Sequence, residues 1–74
     1  MDYKAAAQEV LREVGHPLHY TDITEIALHF GYLKSIGRTP QNTMRARLSV
    51  DVRDNPGTPF DQTAPGVYGL KDEL

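Results

Sequence analysis

The 74 residues contain no cysteine. That removes a disulfide framework, a zinc-finger ligand set and a thiol nucleophile, and it suits a reducing compartment. No apolar run approaches the roughly 20 residues of a membrane span, so no membrane partner is expected. The N-terminus is polar and helical in pattern, unlike a secretory leader. A glycine-rich phosphate loop is missing, because Gly66-Val67-Tyr68-Gly69 reads as part of a hairpin. Ser35 and Ser49 have no histidine-and-acid arrangement around them. Asp51 and Asp54 resemble a nuclease carboxylate pair, but no lysine follows on a strand and both lie at a helix end, where acids are unremarkable. The three histidines, His16, His19 and His29, meet no clustered carboxylate that would complete a metal site. His29, one turn after Glu25, is expected to form a surface pair with it. No enzyme activity, metal or cofactor is therefore expected. Lys71-Asp72-Glu73-Leu74 matches an endoplasmic-reticulum retrieval signal, and without a leader or cysteines we read the match as coincidence. Repeats, linkers and low-complexity tracts are absent too.

What is present is a local excess of positive charge. Residues 34 to 53 hold Lys34, Arg38, Arg45, Arg47 and Arg53 against Asp51, a balance of +4. Residues 1 to 33 sum to −3 and residues 54 to 74 to −3, which together give the net −2. An acidic whole argues against nonspecific coating of nucleic acid. It permits a domain that touches DNA through one face, and equally one that binds another protein.

One small domain spanning residues 1–74 is expected, burying only about 60% of its unfolded surface. Tyr3, Ala6, Ala7, Val10, Leu11 and Val14 have the spacing of an amphipathic helix. Asp2 is placed to cap it and Gly15 to end it. His16-Pro17 forces an extended exit, and Leu18-His19-Tyr20 has room for a minimal strand. A second helix starts at Thr21 or Asp22, with Glu25 in capping-box position, and ends at Gly31. Its stripe is Ile23, Ile26, Ala27 and Phe30. Tyr32, Leu33 and Ile36 anchor a connecting loop that ends at Gly37. Thr39 caps a third helix, with Pro40 at its first position, where no backbone donor is needed. Met44, Leu48 and Val52 face inward, while Asn42, Arg45, Ser49 and Arg53 fall on the other side. Asn55-Pro56-Gly57-Thr58-Pro59 ends that helix. Phe60 opens a strand, Thr63-Ala64-Pro65-Gly66 turns, and Val67-Tyr68-Gly69-Leu70 returns. The last four residues are expected to fray.

Three helices alone leave a side of so small a core open. The hairpin has to close it, with the minimal strand as a third member. The fold class is mainly α with a small β-hairpin, a winged helix-turn-helix: a three-helix bundle plus a two- or three-stranded wing.

In this order the residues resemble the HARE-type helix-turn-helix family, found in restriction endonucleases, the ASXL chromatin proteins and the delta subunit of bacterial RNA polymerase. The likeness lies in Ala6-Ala7 with Val10-Leu11, in Gly15-His16-Pro17-Leu18-His19, and in Glu25-Ile26. It continues through Gly37-Arg38-Thr39-Pro40, Met44, Ala46 and Leu48, then Phe60 and Gly66-Val67-Tyr68-Gly69-Leu70. It runs from about residue 3 to residue 70. The resemblance implies a noncatalytic module, joined to an enzyme or chromatin protein, that contacts DNA. It also implies an exception, since the delta-subunit members act on polymerase, a protein partner. Asp61-Gln62-Thr63 offers no cation where many winged helices meet phosphates.

The third helix carries the chemistry. Gln41 or Asn42 can bond an adenine edge in two places, and Arg45 can reach guanine or a phosphate. Lys34 and Arg38 are placed to neutralise backbone phosphates. Thr39 stands at the helix start, where backbone donors also favour a phosphate, and Ser49 and Arg53 extend the contact. The plainer alternative is a solvated helix face on which Arg47 lays its stem over the core. The six aromatics fall mostly on the core stripes, which disfavours a stacking platform. The expected function is DNA binding that docks a larger bacterial or phage protein, first of all a restriction or modification-dependent nuclease, on double-stranded DNA. The other domains of that parent are partners too, and the setting is cytoplasmic and nucleoid-associated. A protein-interaction module resembling the delta-subunit domain of RNA polymerase is the alternative.

Overall fold

The computed structural model describes residues 1–34 and 38–73. Helix α1 spans Tyr3–Val14, strand β1 Leu18–His19, helix α2 Tyr20–His29 and helix α3 Pro40–Asp54. Strands β2 (Phe60–Ala64) and β3 (Val67–Leu70) form the hairpin, and a single 3-10 turn covers Lys71–Glu73. The mainly helical winged helix-turn-helix expected from the sequence is the fold observed.

Local chemistry sets most of the boundaries. The Asp2 carboxylate accepts from the Ala5 amide at 2.7 Å and so caps α1. Gly15 ends that helix at φ 82, a left-handed conformation that glycine adopts without a Cβ clash. At α2 the cap is not Asp22. His19 takes that place, its Nδ1 accepting from the Thr21 amide at 3.3 Å, so the helix starts at Tyr20. The helix closes at His29, and Phe30 leaves the stripe and is 55% exposed. Thr24 is buried in the helix instead, and its hydroxyl donates to the Tyr20 carbonyl at 2.7 Å. No hydrogen bond joins Glu25 and His29 among the described residues; the His29 ring lies 5.5 Å from that of Phe30. Thr39 precedes α3 but caps it without its side chain. Its backbone carbonyl accepts from Asn42 and Thr43 at 3.1 and 3.3 Å.

The helices pack their small and branched residues together: Ala6, Ala7, Val10 and Leu11 from α1, Ile23 and Ala27 from α2, Met44 and Leu48 from α3. Phe60, Tyr68 and Leu70 of the hairpin complete this core, as the short helices require. The sheet order is β1-β3-β2, antiparallel throughout, with Leu18 opposite Tyr68 and Phe60 opposite Leu70. The minimal strand is thus the third strand of the wing. A bulge between Gln62 and Ala64 twists the hairpin tip. Leu33 is buried, and the Tyr32 hydroxyl donates to Glu13 at 2.7 Å, a bond that raises the tyrosine pKa. The anchoring expected of Ile36 and the loop end at Gly37 lie outside the described residues, as do Ser35 and Leu74.

Asp51 corrects the reading of its position as an ordinary helix end. It is buried at 7% exposure and accepts from Thr58 Oγ1 at 2.6 Å, Lys4 Nζ at 3.1 Å and Asn55 Nδ2 at 3.3 Å. The Thr58 bond leads, with Lys4 and Asn55 behind it, in holding the carboxyl below its ordinary range against burial. One carboxylate thereby joins α1, the C-terminal end of α3 and the segment entering β2. Thr58 also accepts from the Phe60 amide at 3.2 Å. At the C-terminal 3-10 turn the Lys71 amide donates to the Pro59 carbonyl at 2.8 Å.

Candidate nucleic-acid interface

Helix α3 buries Pro40, Met44, Leu48 and Asp51 and turns its other side to solvent. Residues three and four apart share a helix face. Asn42, Arg45, Ala46 and Ser49 obey that spacing and line one open hollow of about 330 Å³. Val50, 47% exposed, lies beside Ala46 one turn on.

Two residues of this face are positioned from outside α3. The Arg45 guanidinium lies over the Tyr20 ring, 5.7 Å from its centroid, within the range of a cation–π contact. Ser49 is half-buried because its hydroxyl is hydrogen-bonded to that of Tyr68 in β3. The wing thereby holds Ser49, and the start of α2 meets Arg45.

The other expected residues spread around this centre. Arg38 and Thr39 are exposed just before the helix, and Gln41 is half-buried in its first turn. Arg53 is exposed but held by Asp54, donating from Nε at 2.9 Å and from Nη2 at 3.0 Å. That pair raises the arginine pKa and lowers the carboxyl pKa. Lys34 lines a different hollow with Met1, Asp2, Tyr3, Tyr32 and Leu33, away from Asn42 and Arg45. Arg47 is exposed. Two positions from Arg45, it leaves α3 on another side. Among the described residues, no acid forms a salt bridge with Arg38, Arg45 or Arg47.

His19, Tyr20, Ala46 and Val50 also stand at or beside this face, although none was expected there. Ala46 and Val50 were legible from helical spacing, since they follow Asn42 by four and eight positions. His19 and Tyr20 had no such signal, because they reach α3 only through the fold.

A family model named HARE-HTH, which describes a helix-turn-helix domain of ASXL proteins and restriction endonucleases among others, matches residues 1–72. The chain belongs to the HARE-HTH family. No curated protein and no solved structure gives a significant match. HARE-HTH is a DNA-binding helix-turn-helix family rather than a catalytic one. In this HARE-HTH domain, no group of three or more histidines and carboxylates is placed to hold a metal ion among the described residues. No described helix is long and apolar enough to cross a membrane.

Proposed function

We propose that this HARE-HTH domain docks a larger protein on duplex DNA by laying the exposed face of α3 in the major groove. The observation that carries the reading is the one face on which Asn42, Arg45, Ala46 and Ser49 meet in an open hollow with no acid in its lining. Each group has a use there. The Asn42 amide can take the paired donor and acceptor of adenine, and Ala46 can sit against a thymine methyl. Arg38, before the helix, reaches the backbone and sets the register. The parent we favour is a restriction or modification-dependent nuclease, with this module as one part of a longer chain working on the nucleoid. The side chains described supply no nucleophile with a base, so the module's contribution is placement.

The wing favours a second reading. Asp61, Gln62 and Thr63 are exposed on β2 and carry no cation, which suits a protein partner, such as RNA polymerase, better than phosphates.

Fluorescence-anisotropy titration of a labelled duplex separates the two. DNA binding through two or three cations should weaken by roughly ten- to fortyfold between 50 and 200 mM salt. Asn42→Ala and Arg38→Ala should weaken it further while leaving the melting temperature unchanged. No duplex binding at low salt, together with retention on RNA polymerase, would establish the protein-partner reading instead.

A further inference from the structure

A second hollow of about 240 Å³ opens beside the first, at the foot of the wing, lined by His19, Tyr20, Arg45, Pro65 and Gly66. We propose that this notch clamps a single backbone phosphate of the duplex between the Arg45 guanidinium and the Nε2–H of His19. The proposal rests on the duplex-docking reading and assigns Arg45 to the backbone rather than to a base.

Three distant segments build the notch: the junction of β1 and α2, the middle of α3, and the turn of the wing. None of its five lining residues is acidic. Its donors are aimed by other groups. The cation–π contact with Tyr20 keeps the Arg45 guanidinium at the notch, with its N–H groups able to bond. His19 has its Nδ1 engaged by Thr21, at 3.3 Å from the amide nitrogen and 2.8 Å from the hydroxyl. An amide N–H can only donate, so in that bond Nδ1 accepts, which puts the ring proton on Nε2. Nε2 has no hydrogen-bond partner among the described residues.

Gly66 is what lets that edge into the notch. A Cβ at this position would stand 2.9 Å from His19 Nε2 and 3.2 Å from its Cδ2. The Gly66 carbonyl accepts from the Tyr20 amide at 2.9 Å, so the wing turn, His19 and Tyr20 are held as one unit. The tetrahedral oxygens of a phosphodiester can accept from a guanidinium and an imidazole together. With Arg45 on the backbone and the Ser49 hydroxyl bonded to Tyr68, Asn42 and Ala46 are left to meet base edges.

The test is a binding series with wild type, Arg45→Gln, His19→Asn and the double variant on several duplexes of different sequence, each across a range of salt. Asparagine can still accept from the Thr21 amide as a cap, and unchanged melting temperatures check that the fold is kept. Arg45→Gln should weaken every duplex by a similar factor, about tenfold, and shallow the salt slope by about one. His19→Asn should also weaken all sequences alike, and should cost less when Arg45 is already gone, because the two share one ligand. Replacing single phosphates by neutral methylphosphonates should reproduce the loss at one backbone position, and free inorganic phosphate should not compete at matched ionic strength. Sequence-selective loss in Arg45→Gln with an unchanged salt slope would overturn the clamp alone, as would a folded His19→Asn domain with full affinity. A wild-type domain that binds no duplex would sink the docking reading and the clamp with it.

Discussion

Replacing Asp51 by alanine should be among the most damaging single changes to this fold, although the residue lies on the helix that carries the site. The carboxylate is 7% exposed and takes three donors, from Thr58, Lys4 and Asn55. Thr58 is itself buried at 4% exposure and its oxygen still accepts from Phe60, so the hydroxyl proton left without an acceptor should cost about 1–3 kcal/mol. The Asn55 bond adds about 0.5–1.5 kcal/mol. Lys4, with its side chain 46% exposed, adds only about 0–1 kcal/mol. Removing a charge from a largely buried position gives some of this back, for a net loss of about 2–4 kcal/mol. A domain of 74 residues holds roughly 4–11 kcal/mol in all. At about 4–8 °C per kcal/mol, the melting temperature should fall by about 8–32 °C. Asp51→Asn keeps an acceptor for Thr58 and should lose roughly half as much. Thermal unfolding followed by circular dichroism reads both. The pH profile adds a second check. Because the folded carboxyl binds its proton more weakly than the unfolded one, its stabilisation is complete above the ordinary value of 3.8 and is lost as pH falls through the folded value. The alanine variant should lack that component of acid destabilisation. An Asp51→Ala domain melting within about 3 °C of wild type would refute the hub.

Two further perturbations bear on the wing. Ser49→Ala strands the buried Tyr68 hydroxyl and should cost about 1–3 kcal/mol, whereas Ser49→Ala with Tyr68→Phe should cost less than the single change, as chemical denaturation would show. Gly66→Ala puts a side chain at φ +73 and against His19, and should cost at least about 1 kcal/mol, while Gly57→Ala, with only an ordinary 3.6 Å contact, should be nearly silent in the same assay.

The parts of this fold that were legible in advance are those set by neighbours in the chain. Asp2 and Gly15 cap and end α1 through bonds made within one turn. Pro40 begins α3, and the cluster after Asp54 ends it. The hairpin followed from alternation and a proline-glycine turn. Errors came where the chain is answered from farther away. Phe30 leaves the core because α2 stops at His29, before its apolar stripe does. Thr39 sits at φ −137 and ψ 70, where its carbonyl rather than its hydroxyl meets the first turn. Asp51 is held by Thr58, across the turn that ends α3, and by Lys4, 47 positions away. In the interface the exposed polar face of α3 was readable by helical period. Its supports were not, since Arg45 is held by Tyr20 and Ser49 by Tyr68, pairs that exist only once the helices and wing have packed.

The central claim is that one face of α3 meets duplex DNA. Backbone amide resonances of the isotope-labelled domain, followed while a duplex is added, test it most directly. Shifts should gather at Arg38, Asn42, Arg45, Ala46 and Ser49, with His19 and Gly66 moving beside them. Shifts confined to the far side, around Phe30 and Tyr32, or a spectrum unmoved by DNA at low salt, would contradict it.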